Sequence, residues 1–338
     1  WNGSGLLGDG STTDRTAPAA GQLTGVVGVA AGAYHSLAVR DDGTVWAWGW
    51  NGLGQLGTGS TLDSSVPIQV PGLTGVTAVS AGTYHSVALK ADGTVWAWGW
   101  NGAGQLGDGN VVTRLSPVRV AGLTNIDRIA AGGYHSLAVR NDGTVWAWGW
   151  NGVGQLGDGT LSDRWSPVKL GGISRVSEIA AGGGHSLAVG AGGRVWAWGW
   201  NAGGQLGIGT TVDARSPVAA NVTGIRTVAA GNLHSLALGA DGTVRAWGWN
   251  GVGEVGDGTA VTRTNPVVVS GTAGTVAIAA GAYHSLAGTS AGGLKAWGWN
   301  AYGQLGDALA PARVAPAPVA GITGATAVAG GALHTLSA

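Results

Sequence analysis

Trp96-Ala97-Trp98-Gly99-Trp100-Asn101-Gly102-Ala103-Gly104-Gln105-Leu106-Gly107 returns along the chain about every fifty residues. Near-identical copies stand at Trp46–Gly57, Trp146–Gly157 and Trp196–Gly207. Two more, Arg245–Gly256 and Lys295–Gly306, replace the first Trp, and in the former Glu254-Val255 stands for Gln-Leu. A period of that size is the signature of a repeat architecture. Trp96, Trp98 and Trp100 fall at i, i+2 and i+4, so a strand would carry them on one face, with Val95, Ala97 and Gly99 on the other. A bulky face meeting a small one lets sheets stack around a ring. Burying one Trp contributes about 2–3 kcal/mol, so the stripe reads as scaffold first.

Outward from that string the rest of the unit is also β. Val76–Ser80 is a short apolar run, His85–Lys90 alternates, and Ala91-Asp92-Gly93 supplies a tight hairpin turn before Thr94–Trp100. Asn51–Gly59 is a Gly-rich loop, and Pro67–Val70 is a short strand. Proline cannot donate to a ladder, which places that strand at an edge. No 3.6-residue period supports a helical solenoid.

The count comes from two rulers. Histidines recur at His35, His85, His135, His185, His234, His284 and His334, and prolines at Pro18, Pro67, Pro117, Pro167, Pro217, Pro266 and Pro316. Seven units of four short strands predict an all-β, seven-bladed β-propeller with four antiparallel strands per blade and the seventh blade closed by both termini. The expected blades are 24–72, 73–122, 123–172, 173–221, 222–271, 272–321, and 322–338 joined with 1–23, all in one domain spanning 1–338. Trp1-Asn2 aligns with Trp50-Asn51 and Ala338 with Val39, leaving no copy of Arg40–Gly49 between them. We therefore expect the chain to extend before Trp1 or beyond Ala338.

Composition narrows the function classes. The 338 residues hold 67 Gly and 18 Trp, with no Cys, Met or Phe, and 17 basic residues balance 17 acidic ones. Without Cys there is no disulfide and no thiol chemistry. No basic stripe suggests nucleic acid, and no stretch has the length and purity of a membrane-spanning helix.

The motifs resemble the regulator-of-chromosome-condensation repeat family. The resemblance rests on Ala-Gly-x-x-His-Ser, the Asp-Gly turn, Val-Trp-Ala-Trp-Gly, Asn-x-x-Gly-Gln-Leu-Gly and the trailing Pro-Val, and covers the whole chain. It implies a seven-bladed propeller. The wedge and basic tail of the guanine-nucleotide exchange factor in that family have no counterpart here. Photoreception in the family draws on Trp in the Gly-x-x-His loop, where this chain has Tyr34, Tyr84, Tyr134, Gly184, Leu233, Tyr283 and Leu333. In compactness the repeats are similar to secreted bacterial members such as the propeller-type β-lactamase inhibitory protein.

Candidate chemistry is sparse. Stacked sheets lie about 10 Å apart, while zinc ligands lie about 2 Å from their ion, so neighbouring histidines do not share a metal. His35 and Ser36 are consecutive strand residues facing opposite sides, which excludes them as base and nucleophile. Asp9 with Arg15, and Asp158 with Arg164, read as ion pairs within loops rather than calcium ligands. The Gly-x-Gly pairs precede no helix, so they make poor phosphate cradles.

The expected function is a non-enzymatic protein-binding module, bacterial and exported to the cell surface or beyond, with no cofactor, no metal, no nucleic acid and no membrane insertion. It is expected to be monomeric unless part of a larger assembly. The expected contact residues are Tyr34, Tyr84, Tyr134, Tyr283, Tyr302, Trp165 and Arg164. Trp165 is read in the loop before Pro167 on the same rim. The alternative is a rigid spacer within a larger surface or filament protein; a lectin or an exchange factor has less support.

Overall fold

The computed structural model describes residues 1–308 and 310–338. The first blade contains β1 (Val26–Ala31), β2 (His35–Arg40), β3 (Val45–Gly49) and β4 (Ser64–Gln69), and the second β5 (Val76–Ala81), β6 (His85–Lys90), β7 (Val95–Gly99) and β8 (Arg114–Arg119). The third runs through β9 (Ile126–Ala131), β10 (His135–Arg140), β11 (Val145–Gly149) and β12 (Arg164–Lys169), and the fourth through β13 (Glu178–Ala181), β14 (His185–Val189), β15 (Val195–Gly199) and β16 (Ala214–Ala219). The fifth has β17 (Ile225–Ala230), β18 (His234–Gly239), β19 (Val244–Gly248) and β20 (Arg263–Val268), and the sixth β21 (Thr275–Ala280), β22 (His284–Thr289), β23 (Leu294–Trp299) and β24 (Ala312–Pro318). β25 (Val328–Gly330) and β26 (Thr335–Ser337) close the series.

Each of the six four-stranded sheets is an antiparallel meander in chain order. The first strand of each lies at the central channel and the proline strand at the outer edge, where the ladder loses register between Ala47 and Gly49 against Ile68 and Ser64. Pro67 falls inside that irregularity, where its missing N–H costs nothing.

The expected seven four-stranded blades are not formed. Among the described residues there are six, and the seventh unit is the two-stranded sheet β25–β26. The reason is local. Among the described residues no equivalent of β3 pairs with Arg15–Ala20, which aligns with Ser64–Gln69 and forms no strand. The ring of loops nevertheless closes. Ala33 N–H donates to Gly82 O, and the same contact runs from unit to unit until Ala332 N–H donates to Gly32 O at 3.2 Å.

The Trp stripe divides into three environments. Trp98, Trp148, Trp198, Trp247 and Trp297 are wholly buried, but so are Val95 and Ala97 on the opposite face. Both sides of the third strand therefore pack against neighbouring blades. The core consists of inter-blade clusters, such as Leu37, Val45, Ala47, Leu56 and Val70 of the first blade around Trp98 of the second. The outer Trp is half-exposed, which is why Arg245 and Lys295 are accepted there: Arg245 faces Asp241 and Lys295 Nζ donates to Gly271 O. The last Trp lies beyond the strand in five blades, and in the sixth Trp299 ends β23. Gly99 ends β7 at φ +100°, a conformation that favours glycine, and a Cβ there would lie 2.5 Å from Tyr84 O.

Candidate binding face

The face begins with a buried network that fixes the loops. Each histidine is at most 1% exposed, and each Nε2 reaches the hydroxyl one unit ahead: His35 to Ser86, His85 to Ser136, His135 to Ser186, His185 to Ser235, His234 to Ser285, His284 to Thr335 and His334 to Ser36, all at 2.9–3.0 Å. The hydroxyl in turn donates to a backbone carbonyl of the Gly-rich loop: Ser86 to Gln55 O, Ser136 to Gln105 O, Ser36 to Leu6 O. With its proton committed, the hydroxyl must accept from an Nε2–H. The rings are therefore neutral, with Nδ1 unprotonated, and unpaired at His35, His85, His135, His185, His284 and His334. Burial pushes them down to about 3, and to about 4 at His284. A histidine that donates to the serine cannot act as its base, and the pair is sealed from solvent; the arrangement is a clamp. The sequence correctly separates His35 from Ser36, but the partner one repeat away was not read.

The same carbonyl accepts the buried indole of the next blade: Trp98 Nε1–H to Gln55 O at 2.8 Å, and likewise Trp148 to Gln105 O and Trp198 to Gln155 O. Asn51 organises the loop itself. Its Oδ1 accepts from Leu56 N–H, its Nδ2 donates to Ser60 O and Leu62 O, and its own N–H donates to Asp63. The tip of the loop is thereby folded back beside Trp50.

Clamped in this way, the x-x residues before each histidine and the Trp at each loop start share one end of the ring. Trp50 N–H donates to Tyr34 O at 2.8 Å. Trp1, Tyr34, Trp50, Tyr84, Trp100, Tyr134 and Trp150 form an unbroken row of ring contacts with centroids 5.5–6.4 Å apart. Tyr34 and Tyr84 stack at 13° between planes. Burial, then Tyr34 and Tyr134, raise the phenol of Tyr84. The row breaks at Gly184 and Leu233. It resumes as Trp249, Tyr283, Trp299 and Tyr302, with Asn232 Nδ2 donating to the Tyr283 hydroxyl at 3.0 Å.

Of the expected contact residues, then, Tyr34, Tyr84 and Tyr134 are brought together, and Tyr283 with Tyr302 forms a second cluster. Trp165 is not in a loop. It lies in the outer strand β12, 52% exposed, against Gly104 of the preceding blade, and its carbonyl accepts from Gly109 N–H. No aromatic contact joins it to the tyrosines among the described residues. Arg164 is committed to Asp158, at 2.6 Å. The same loop pair recurs as Arg15–Asp9, Arg114–Asp108, Arg263–Asp257 and Arg313–Asp307, so the guanidinium takes the place a cation would need.

The sequence reading missed a second circle of residues on this face. Leu62, Val112, Val212 and Val261 sit at equivalent loop tips, eleven residues after the loop asparagine, and are 75%, 56%, 70% and 57% exposed; in the third blade Ser162 holds that position and Leu161, 43% exposed, precedes it. Leu62 O, Val112 O, Val212 O and Val261 O all accept from the loop asparagine beside the rim tryptophan, which sets them around the aromatic row. The available signal was an aliphatic residue near the twelfth position of loops that are otherwise polar.

The model of the RCC1-like domain matches residues 1–187, more than half of the chain. The chain belongs to the RCC1-like family. Models of the regulator of chromosome condensation (RCC1) repeat match 192–238 and 241–287, and a second set matches 176–205, 225–254 and 276–304. Human WBSCR16 is similar to this RCC1-like chain at 28% identity and a TM-score of 0.88, over 100% of this chain and 96% of that one. Prp20p from Saccharomyces cerevisiae is similar at 25% identity and a TM-score of 0.82, over 92% and 82%. The ectodomain of the Arabidopsis thaliana receptor kinase ACR4, at 15% identity and a TM-score of 0.54 over 93% and 92%, shares the fold alone. No curated protein matches the chain.

Proposed function

We propose that this RCC1-like propeller is a non-enzymatic protein-binding module whose contact surface is the face just described. The observation that carries the reading is the outer circle Leu62, Val112, Leu161, Val212 and Val261, aliphatic and exposed on five consecutive blades. Apolar side chains held in solvent in an ordered array around an aromatic row mark an interaction surface better than singly scattered ones do. The inner row adds Tyr and Trp, which offer large area at low conformational cost. Relatives support the class. Prp20p is described by its binding to Gsp1p and histones, and yeast RCC1 is seen bound to Kap60. The histidine–serine pairs are sealed from solvent and hydrogen-bonded as clamps, so they do not serve as a catalytic dyad. Export from a bacterium belongs to the same proposal, supported by the compact repeats.

Photo-crosslinking tests it. A photoreactive residue at 62 or 212 should capture the partner, and one at Asp92, in the hairpin turn at the other end of the blade, should not. Changing Tyr34, Tyr84, Tyr134 and Leu62 together to Ala should weaken that partner at least about tenfold, roughly 1.4 kcal/mol. An affinity within about twofold of the parent, with the fold intact by circular dichroism, refutes the face assignment.

A further inference from the structure

The chain carries no net charge, but its charges are sorted by end. The end opposite the binding face, where the hairpin turns and the links between blades lie, holds eleven basic side chains and seven acidic ones; the loop end holds six and ten. The surplus is organised. Each four-stranded blade carries one Lys or Arg in the hairpin of its second and third strands, and three different backbone positions supply it. In the first three blades it ends the second strand, as Arg40, Lys90 and Arg140. That position is Gly190 in the fourth blade, and Arg194 stands across the turn instead. It is Gly239 in the fifth blade and Thr289 in the sixth, and there Arg245 and Lys295 take the place of the outer Trp.

The charged groups converge even where the backbone position moves. Arg140 lies 4.9 Å, Arg194 5.8 Å and Lys90 6.0 Å from the outer Trp ring of its own blade. A Cβ at Gly239 would come 3.2 Å from Arg245 Nη1, so this guanidinium lies beside the position that Arg140 fills in the third blade. Half-exposed Trp46, Trp96, Trp146 and Trp196 stand at the same level, and Val268, opposite Arg245 in the ladder, is exposed. Asp42 lies 3.4 Å from Arg40 and Asp241 3.9 Å from Arg245. The turns of the fourth and sixth blades hold no carboxylate, so Arg194 and Lys295 stand without that offset.

What stays constant from blade to blade is the charge and its height on the ring, while the residue and its place in the ladder change. A folded partner, a second copy of this chain included, reads groups at fixed positions. A linear polyanion follows a stripe, whereas these cations are spread around six consecutive blades. A fluid anionic surface reads charge without position: anionic headgroups attract Lys and Arg held near them, and Trp, with an apolar body and a polar N–H, favours the same level. We propose that the hairpin end of the ring lies flat on an anionic lipid surface, with its six cations at headgroup level and the outer Trp beside them. The contact is peripheral, and no strand enters the bilayer. A surplus of only four charges makes it reversible and sensitive to salt. It turns the Tyr-bearing loop end away from the lipid and does not depend on what binds there.

The test uses the whole chain and vesicles of phosphatidylcholine, alone or with phosphatidylglycerol at about one third. Co-sedimentation should show binding to the mixed vesicles only, weakened at least about tenfold between about 0.05 and 0.3 M salt. Each cation near such a surface is worth about fivefold, so Arg194→Gln, Arg245→Gln and Lys295→Gln together should weaken binding at least about thirtyfold. Arg215→Gln, at the loop end, should leave it within about twofold. Gly239→Arg with Arg245→Trp moves the fifth cation to the position used in the first three blades and should also stay within about twofold; thermal melts check that each variant is folded. Equal binding to both vesicles, no binding to the mixed ones at the lower salt, or a loss from Arg215→Gln equal to that of the triple change overturns the proposal. So does a loss of about tenfold on moving the fifth cation, which would mean that position is read. Duplex DNA that binds more tightly than the vesicles at equal phosphate would assign this end to a linear polyanion instead. A salt-sensitive self-association that the triple change abolishes and vesicles do not compete with would assign it to a second copy.

Discussion

Lowering the pH should unfold this ring well above the range where carboxylates protonate. Seven histidines are buried and neutral, donating through Nε2, and in six of them Nδ1 has no hydrogen-bond partner. Their folded values lie at about 3, and about 4 for His284. An unfolded histidine titrates near 6.5. The folded value is depressed, so the stabilisation is complete above pH 6.5 and is lost progressively as the pH falls towards 3. At pH 5 linkage gives a loss of about 2 kcal/mol per histidine, about 14 kcal/mol for seven. Domains are typically stable by about 5–15 kcal/mol, which places acid unfolding between about pH 6 and pH 5. Glu254 works in the opposite sense, since burial raises its carboxyl to about 7. The net uptake on unfolding at pH 5 should therefore be about six protons, or about 8 kcal/mol per pH unit. Urea titrations followed by Trp fluorescence at several pH values between 7.5 and 5 measure this slope. A stability at pH 5 within about 2 kcal/mol of that at pH 7.5 would refute the neutral, sealed histidine ring.

Three further outcomes follow from the same contacts. Glu254→Gln restores the residue of the sibling repeats and removes a buried acid whose Oε1 is unpaired; it should stabilise by about 3 kcal/mol at pH 8 and by less than about 1 kcal/mol at pH 5, because the raised group costs stability only as pH rises from 4.5 through 7. Equal gains at both pH values in urea titrations would count against a protonated Glu254. Ser136→Ala strands the His85 Nε2–H and leaves Gln105 O one donor short, which should cost about 2–4 kcal/mol; a loss under about 0.5 kcal/mol by the same assay would contradict the clamp. Trp148→Phe should cost about 2–3 kcal/mol through the lost bond to Gln105 O and the space left behind, whereas Trp146→Arg, the residue already present at Arg245, should stay within about 1 kcal/mol; thermal melts compare the two.

The strands were legible because they depend on local pattern. Val76–Ser80 and His85–Lys90 anticipate β5 and β6 closely, and the Asp-Gly turns and edge prolines fall where expected. The blade count failed because histidines and prolines count loops and outer segments. A blade also needs its third strand, and among the described residues none pairs with Arg15–Ala20. The three Trp were read as one face, but Gly99 at φ +100° turns Trp100 out of the strand and onto Tyr84 and Tyr134. Trp165 looked like loop because Pro167 follows it, yet proline is tolerated in the outer strand β12. The histidine's partner was hidden by distance, since His85 meets a serine 51 residues ahead. The repeat length contains that contact, but only stacking reveals it.

The clamp also explains where this protein is free to differ. The Gly-rich loop holds its neighbour through a backbone carbonyl, so Leu6 and Glu254 serve as well as Gln55. What the network demands as side chains is His, Ser or Thr, the middle Trp and the loop Asn, and all of these point inward. Three positions per unit carry no such duty: the residue before His, the second residue after the loop Asn, and the aliphatic loop tip. They read Tyr34, Leu53 and Leu62 in one unit, Gly184, Gly203 and Val212 in another, and Tyr283, Tyr302 and Ala310 in a third. Gly184 lies beside Val153, and Tyr302 touches Trp299, so the first two positions interleave along the rim. A uniform interior with variation confined to one face is what selection on a binding surface would leave. Selection for a spacer would act on the interior and leave the rim free to vary in any chemistry, polar residues included. The loop tips instead stay aliphatic at Leu62, Val112, Val212 and Val261, with Leu161 beside Ser162 in the blade between, at the cost of exposure, and that choice favours a partner.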